Sequence, residues 1–288
     1  MKVLRKICFV VSLVFLLVII LLLRCSNHSA PGSLFFVHPS NFKPQQSSQY
    51  GLIVVVHGWI EKGGDNWPED MAAEIAKKVD SDLWLCSYFD WPEGADRINP
   101  TDAAKFARDT AGPRLADEIM KRCGDAKHIH LIGHSCGCWV INKAAEILAE
   151  KTSADLHLTF LDAYVPIGWP ENQLGDIKAA EGRVCWAEHY FTRDYTVGFT
   201  EVTLTNAHNV DISTLDSGLK DHKFPWRWYY ATIAGGYPKS VFSDSTEYEF
   251  IVDGIEYGFA RSKEVSGEQA WLQSLTLLPG NEPVSFNP

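Results

Sequence analysis

The sequence predicts an α/β fold: a mainly parallel, doubly wound sheet with helices on both faces, followed by a small C-terminal β appendage. Three observations carry this. Apolar runs such as LIVVV (52–56) are continuous rather than alternating, as expected of strands covered on both sides. They alternate with amphipathic stretches of helical length, the pattern that strand–helix–strand units produce. At 288 residues and 46% hydrophobic, the chain can bury one sizeable core, or a core plus a small appendage.

Taken in order, the first 24 residues stand apart from the fold. Lys2, Arg5 and Lys6 precede an uncharged apolar run over 7–23, which Arg24 closes. As a helix this run rises about 25 Å, enough to span a thin bilayer, and its basic flank predicts a cytoplasmic N-terminus and an exported body. Its length, and Pro31 directly after Ala30, favour an uncleaved membrane anchor over a cleaved signal segment; the alternative is a secreted protein. LLRC, ending at Cys25, suits lipoprotein processing poorly because Arg24 stands where a small residue belongs. Residues 25–48 read as a tether, 49–239 as the α/β domain and 240–288 as the β appendage.

Within the domain, LIVVV ends abruptly in His57-Gly58-Trp59, and DNWPEDMAAEIAKKV reads as a helix with acids in its first turn and lysines in its last. LWLCSYF (83–89) is a strand. TDAAKFARDTAGPRLADEIMKRC is helical and bent or broken at Gly112-Pro113. HIHLIG (128–133) is a strand, CWVINKAAEILAEK a helix, and LHLTFLDAY (156–164) and RVCWAEHYF (183–191) are further strands. In the tail, TEYEFIVDGIEYGFA reads as two strands of a hairpin joined at Asp253-Gly254.

Composition excludes some functions. The net charge of −10, without long Lys/Arg runs, leaves no footprint for nucleic acid. Seven cysteines, two of them at the N-terminal segment, are scattered without metal-ligand spacing. Neither a zinc site nor a disulfide scaffold is expected, and no cofactor or metal is implied.

The chemistry centres on LIGHSCGCWV (131–140). Gly133-His134-Ser135-Cys136-Gly137, between an apolar strand and an amphipathic helix, is a nucleophile elbow. The turn holds Ser135 in strained geometry, and Gly133 and Gly137 let strand and helix pass without Cβ clashes. A serine hydroxyl needs a base, an orienting acid and an oxyanion hole. For the hole, the N–H of Cys136 and that of Trp59, after His57-Gly58, are the candidates; the Cys136 thiol is then incidental.

Four stretches, VVVHGWIEKGGDNW (54–67), Asp90-Trp91, HIHLIGHSCG (128–137) and FLDAYVP (160–166), together resemble the pancreatic lipase family of α/β-hydrolases. The resemblance covers about 50–170 well and 180–235 loosely. It implies an α/β-hydrolase fold and a serine hydrolase acting on carboxylic esters, with Ser135 as nucleophile and Asp162 as acid. Ala163 departs from the proline usual after that acid. The short interval from Asp162 to the later histidines leaves little room for the family's disulfide-bounded lid, so an esterase fits as well as an interfacial lipase. Lipase-like chains place the base in a loop before the final helix, where His222 precedes PWRWYYATI; His208 is the alternative base, and Asp194, after the next strand, the alternative acid. The implied partner is a small-molecule or lipid ester, with membrane contact through residues 7–23. Trp59, Trp67, Trp169, Trp226 and Trp228 are candidates for an apolar acyl pocket or, equally, for core.

Overall fold

Strand β2 (Gly51–Val56) is buried at every position, and its alternating side chains divide the molecule's core. Leu52, Val54 and Val56 enter one apolar cluster, whereas Ile53 and Val55 enter another on the opposite face. A fully buried aliphatic side chain contributes about 1.5–3 kcal/mol, so a strand with two covered faces gains at both. That is why the run is continuous rather than alternating. The description rests on a computed structural model and covers residues 32–37, 50–59, 66–178, 180, 183–193, 200, 202–215, 222–238, 250–251, 254–262, 275–276 and 284–285. The expected anchor over 7–23 and Asp194 lie outside the described residues. Among the described residues, no helix is long and apolar enough to cross a membrane.

The remaining elements follow the alternation. In chain order they are β1 (Ser33–Phe36), β2, α1 (Trp67–Ala76), β3 (Trp84–Asp90), α2 (Pro92–Ala95), α3 (Pro100–Phe106), α4 (Gly112–Cys123), β4 (His128–His134), α5 (Gly137–Lys151), β5 (Asp155–Leu161), β6 (Cys185–Phe191), β7 (His208–Asp211), α6 (Phe224–Ala234), β8 (Tyr237–Pro238), β9 (Phe250–Ile251), β10 (Leu275–Thr276) and β11 (Val284–Ser285). The main sheet has the order β1-β3-β2-β4-β5-β6-β7-β10-β11. Pairings from β3 through β10 are parallel, and the edge strands β1 and β11 are antiparallel. Helices α4 and α5 cover one face; α1 and α6 cover the other. This is the expected doubly wound α/β sheet. Because β2, β4 and β5 are adjacent and parallel, their C-terminal ends share one edge, where ligands bind in such sheets.

Three local expectations need correction. Ser33–Phe36, assigned to the tether, pairs with β3; four residues are too few to carry a periodic signal, and Phe35 is exposed even as a strand residue. The helix around Gly112-Pro113 does not break. A π-helical turn over Ala107–Ala111 widens the ladder, with Gly112 N–H donating to Ala107 O, and so relieves the clash that Pro113 would impose in a regular helix. Gly112 also lets α4 approach α5, since a Cβ there would lie 2.6 Å from Lys143 Cβ. In the tail, Phe250–Ile251 pairs with Tyr237–Pro238, but among the described residues 254–262 there is no return strand; Gly258–Arg261 forms a 3-10 turn instead, and its Phe259 packs in the core. Burying that aromatic under the sheet outweighs the alternating pattern. Strands β10 and β11 extend the main sheet from β7.

The face under α6 carries a buried polar row. Glu188 Oε1 accepts from Thr159 Oγ1 (2.7 Å) and lies 3.1 Å from His157 Nε2, while Oε2 accepts from Tyr190 Oη at 3.0 Å. His130 stacks on His157 with centroids 3.7 Å apart, and its Nε2 lies 2.8 Å from Thr159 Oγ1. Burial opposes the charge on Glu188, yet the hydrogen bonds from His157 and Thr159 hold its carboxyl below the usual range. Burial also pushes His189 and His208 down to about 4, so both rings are neutral in the fold. In the unfolded chain they take protons near pH 6.5. The unfolded state therefore binds more protons between about pH 6.5 and 4, and stability falls as pH drops through that window. The expected loss by pH 5 is about 2 kcal/mol per imidazole, read as a lower unfolding midpoint at pH 5 than at pH 7.5. His208→Asn should reduce that difference.

Candidate active site

Ser135 follows β4 directly and precedes α5 by two residues. Its φ is +53°, and Asp162, directly after β5, has φ +47°; among the described residues these are the two non-glycine positions with positive φ. Such backbone costs on the order of 1–3 kcal/mol and persists where surroundings over-determine it, typically at functional sites. The surroundings are visible here. Ser135 N–H donates to Leu161 O at 3.0 Å, Ser135 O accepts from Cys138 N–H at 3.1 Å, and Asp162 N–H donates to Tyr190 O at 2.8 Å. The two strained turns are thus tied to each other through the end of β5.

The glycines act as the motif requires. A Cβ on Gly133 would lie 2.8 Å from Gly137 O, and one on Gly137 would lie 2.3 Å from His57 O. Gly58 is equally confined: its Cβ would meet Ser135 Cβ at 2.8 Å. The loop after β2 therefore presses directly on the serine turn.

Asp162 is fully buried. Its Oδ1 accepts from Thr192 N–H at 3.1 Å, and its Oδ2 lies 2.5 Å from His222 Nδ1. A buried carboxylate facing Nδ1 keeps the proton there, which leaves Nε2 of the neutral ring as its basic nitrogen. His222 stands just before α6, with Pro225 in the first turn of that helix. His134 Nε2 lies 3.0 Å from His222 O, with the two rings 4.7 Å apart, so the residue before the serine steadies the loop that carries the imidazole. The structure thus brings Asp162 and His222 together, with Ser135 joined to the acid's strand at Leu161 O and His134 joined to the histidine's loop. His208 is placed elsewhere: it opens β7, buried against Trp186 at 5.7 Å, with Glu188 as its charged neighbour. The base alternative at His208 is therefore not supported by position.

One contributor was not singled out in the sequence. His189 is wholly buried under the acid; its Nε2 accepts from Ala163 N–H at 3.2 Å, and Nδ1 lies 3.2 Å from Asn209 Oδ1. This bridge holds the turn directly after Asp162. A histidine inside an apolar strand gives no local signal of such a role, which comes only from the β5–β6–β7 register.

On the opposite side, Cys136 is buried with its Sγ 3.4 Å from Pro100 O, so the thiol points into packing while its N–H stands at the start of α5. Trp59 Nε1–H donates to Arg97 O at 2.8 Å. Of the five tryptophans, Trp67, Trp226 and Trp228 are core: Trp67 stacks on Trp226 at 4.7 Å and meets His134 edge-on. Trp59 and Trp169 are partly buried against the other cluster, and Trp169 meets Trp139 edge-on at 4.6 Å. The acyl-pocket reading therefore survives for Trp59 and Trp169 only. Among the described residues, one group has metal-ligating atoms within 4.8 Å of one another, namely His130, His157 and Glu188. Its two imidazoles lie nearly parallel, 8° apart, so their in-plane lone pairs run side by side and do not converge on one ion.

A parallel sheet with a serine turn after β4, a buried carboxylate after β5 and a histidine before the last helix among the described residues is the α/β-hydrolase arrangement. Over 136 residues, 45% of its length, the chain is 30% identical to pancreatic lipase-related protein 2 of Sus scrofa, covering 26% of that protein. It is 29% identical over 114 residues to pancreatic triacylglycerol lipase of Mus musculus, covering 38% of this chain and 23% of the relative. It is also 30% identical over 112 residues, 38% of its length, to the mouse inactive pancreatic lipase-related protein 1, covering 22% of that protein. The chain thus spans about a quarter of the length of these curated relatives. Similar solved structures include esterase 2 of Thermogutta terrifontis, at TM-score 0.37, 15% identity and coverage of 63% of this chain and 78% of that one. A poly(3-hydroxybutyrate) depolymerase of Bordetella parapertussis matches at TM-score 0.36 and 14% identity, covering 61% of this chain and 64% of that one. No family model matches the chain.

Because Gly137 faces backbone that cannot give way, Gly137→Ala is expected to displace either the serine turn or the loop after β2. Overpacking of this kind costs about 1–3 kcal/mol. The expected outcome is a lower melting temperature together with slower labelling of Ser135 by a fluorophosphonate.

Proposed function

We propose that the protein is a serine hydrolase that cleaves carboxylic esters through an acyl-enzyme. The observation that carries this reading is the buried Asp162 carboxylate 2.5 Å from His222 Nδ1, with the acid's turn bonded to the strained Ser135 and the histidine's loop bonded to His134. Ser135 Oγ attacks the ester carbonyl carbon as its proton passes to His222 Nε2. The carbonyl oxygen becomes the oxyanion, received by the Cys136 and Trp59 N–H groups. Collapse expels the alcohol, protonated by His222, and leaves the acyl group on Ser135. Water, deprotonated by the same nitrogen, then releases the acid. Asp162 holds the tautomer and stabilises the imidazolium without taking the proton. The same residues would serve a thioesterase or acyltransferase; the esterase reading is favoured by the likeness to lipases. In the cell, the apolar run over 7–23 would tether this domain on the extracytoplasmic side of a membrane.

A second reading has one observation behind it: a relative bears a name that calls it inactive. On that reading the domain is a tethered binding protein. The assembled Ser135, Asp162 and His222 turns favour catalysis, and a fluorophosphonate probe separates the two, since a non-catalytic protein would not be labelled.

With a short-chain p-nitrophenyl ester, Ser135→Ala is expected to abolish turnover. Asp162→Asn should lower kcat by about 10⁴-fold through loss of the correct tautomer. His222→Ala should remove activity while His208→Ala retains most of it, and kcat/KM should fall on the acid side as the base takes a proton. Near-wild-type rates in Ser135→Ala would refute the proposal.

A further inference from the structure

The Asp90-Trp91 pair at the end of β3 has no part in the chemistry above, yet it clasps the loop that supplies an oxyanion donor. Trp91 Nε1–H donates to His57 O at 2.9 Å, and Trp91 N–H approaches His57 Nε2 at 3.1 Å. Asp90 Oδ1 lies 3.0 Å from the same nitrogen, and the Trp91 ring stacks over the imidazole at 5.5 Å and 17°. The imidazole is thereby held at its far end, its face and its backbone.

Its near end is what matters. His57 Nδ1 lies 3.0 Å from Gly58 O. A carbonyl only accepts, so Nδ1 carries a proton and donates it, whichever partner Nε2 serves. Gly58 O belongs to the peptide whose nitrogen is Trp59 N. That peptide is planar and trans, so its C=O and N–H point in opposite directions. Drawing the oxygen toward the imidazole turns the Trp59 N–H away from it. Gly58 Cα is itself pressed against Ser135, where a Cβ would come within 2.8 Å of Ser135 Cβ. The N–H is thereby directed away from His57, in a loop whose Gly58 lies against Ser135.

We infer that His57, clamped by Asp90 and Trp91, is a positioning residue that aims the Trp59 N–H at the oxyanion. This deepens the esterase reading and rests on it. His57 touches no reacting atom. It fixes the plane of one peptide, and the adjacency of β3 to β2 supplies the clamp.

Loss of one oxyanion donor costs about 10²–10³ in kcat, so a donor retained but unaimed should cost about 10- to 100-fold. The experiment compares wild type, His57→Ala, His57→Asn and Asp90→Ala with a short-chain p-nitrophenyl ester and with an alkylboronic acid, which forms a tetrahedral adduct on the serine. His57→Ala should lose that factor in kcat with KM within about twofold, and should bind the boronic acid more weakly by a similar factor. His57→Asn, whose amide NH₂ occupies nearly the position of Nδ1, should recover most of both. Asp90→Ala, at a half-exposed side chain, should fold and lose kcat several-fold at constant KM. Unchanged kcat in His57→Ala would overturn the inference, as would asparagine no better than alanine at equal melting temperature, or a loss confined to KM. If His57→Ala fails to fold, His57→Asn with near-wild-type kcat and Asp90→Ala with reduced kcat uphold it; unchanged kcat in Asp90→Ala overturns it. Wild type without turnover or fluorophosphonate labelling would instead refute the esterase reading, so the two failures are told apart.

Discussion

A carboxylate with no solvent contact at the end of a central strand is the constraint on which the site depends. Removing a charge from water costs several kcal/mol unless partners replace the lost hydration. Asp162 has them: the Thr192 N–H on Oδ1 and the His222 imidazole on Oδ2. Each partner comes from a different part of the chain. Thr192 lies just past β6 and His222 just before α6, so β6 must lie beside β5 and α6 must pack under the sheet before the charge is tolerable. The fold and the pair are therefore mutually dependent. A chain that mispaired β5 and β6 would leave a buried charge unanswered, a local conflict of the kind that natural sequences minimise.

The same logic runs outward from the acid. The turn after Asp162 is held by His189, neutral because burial pushes it down to about 4, and His189 is oriented by Asn209 on β7. Asn209 in turn donates to Leu204 O and Ala207 O and accepts from Leu204 N–H. A protonated His189 could not accept the Ala163 N–H. Desolvation, which would be costly for a charged ring, is here what keeps the bridge in its working state. His189, which holds the turn after the acid, is thus also one of the two histidines that make the fold sensitive to acid.

Much of this was legible in the residues because its causes are local. A glycine two places either side of Ser135 is required by steric contact, and a continuous apolar run such as LIVVV states that both faces are covered. Ser135 could accordingly be singled out from its own surroundings, whereas Asp162 and His222 were expected only from the resemblance to lipases, with Asp194 and His208 beside them. What could not be read were features with causes distant in sequence. Ser33–Phe36 is a strand only because β3 offers an edge. Gly254 is followed by a 3-10 turn because Phe259 finds a buried place near Tyr229 and His130. His189 looked like any strand residue because its partners lie 26 and 20 positions away. The tryptophans divided for the same reason: composition marks them as large and apolar, and only packing decides which of them face the sheet.

The two halves of the site are built on different principles. In the proposed reaction the proton-transfer half is Asp162 with His222, and its geometry is enforced by the cost of leaving a buried carboxylate unpaired. The oxyanion half of that proposed reaction rests on backbone dipoles, which carry no such penalty and can rotate with their peptide. A glycine in the loop after β2 is unavoidable, since Ser135 leaves no room for a Cβ at Gly58. Glycine brings the loosest backbone to the one place where a peptide must point in a fixed direction. A clamp from outside the loop answers that difficulty. β3 is the neighbouring strand on the side away from β4, and its terminal Asp90-Trp91 reaches over the His57 ring. The freedom demanded by close approach at the serine is thereby removed by a contact on the far side of the same three residues.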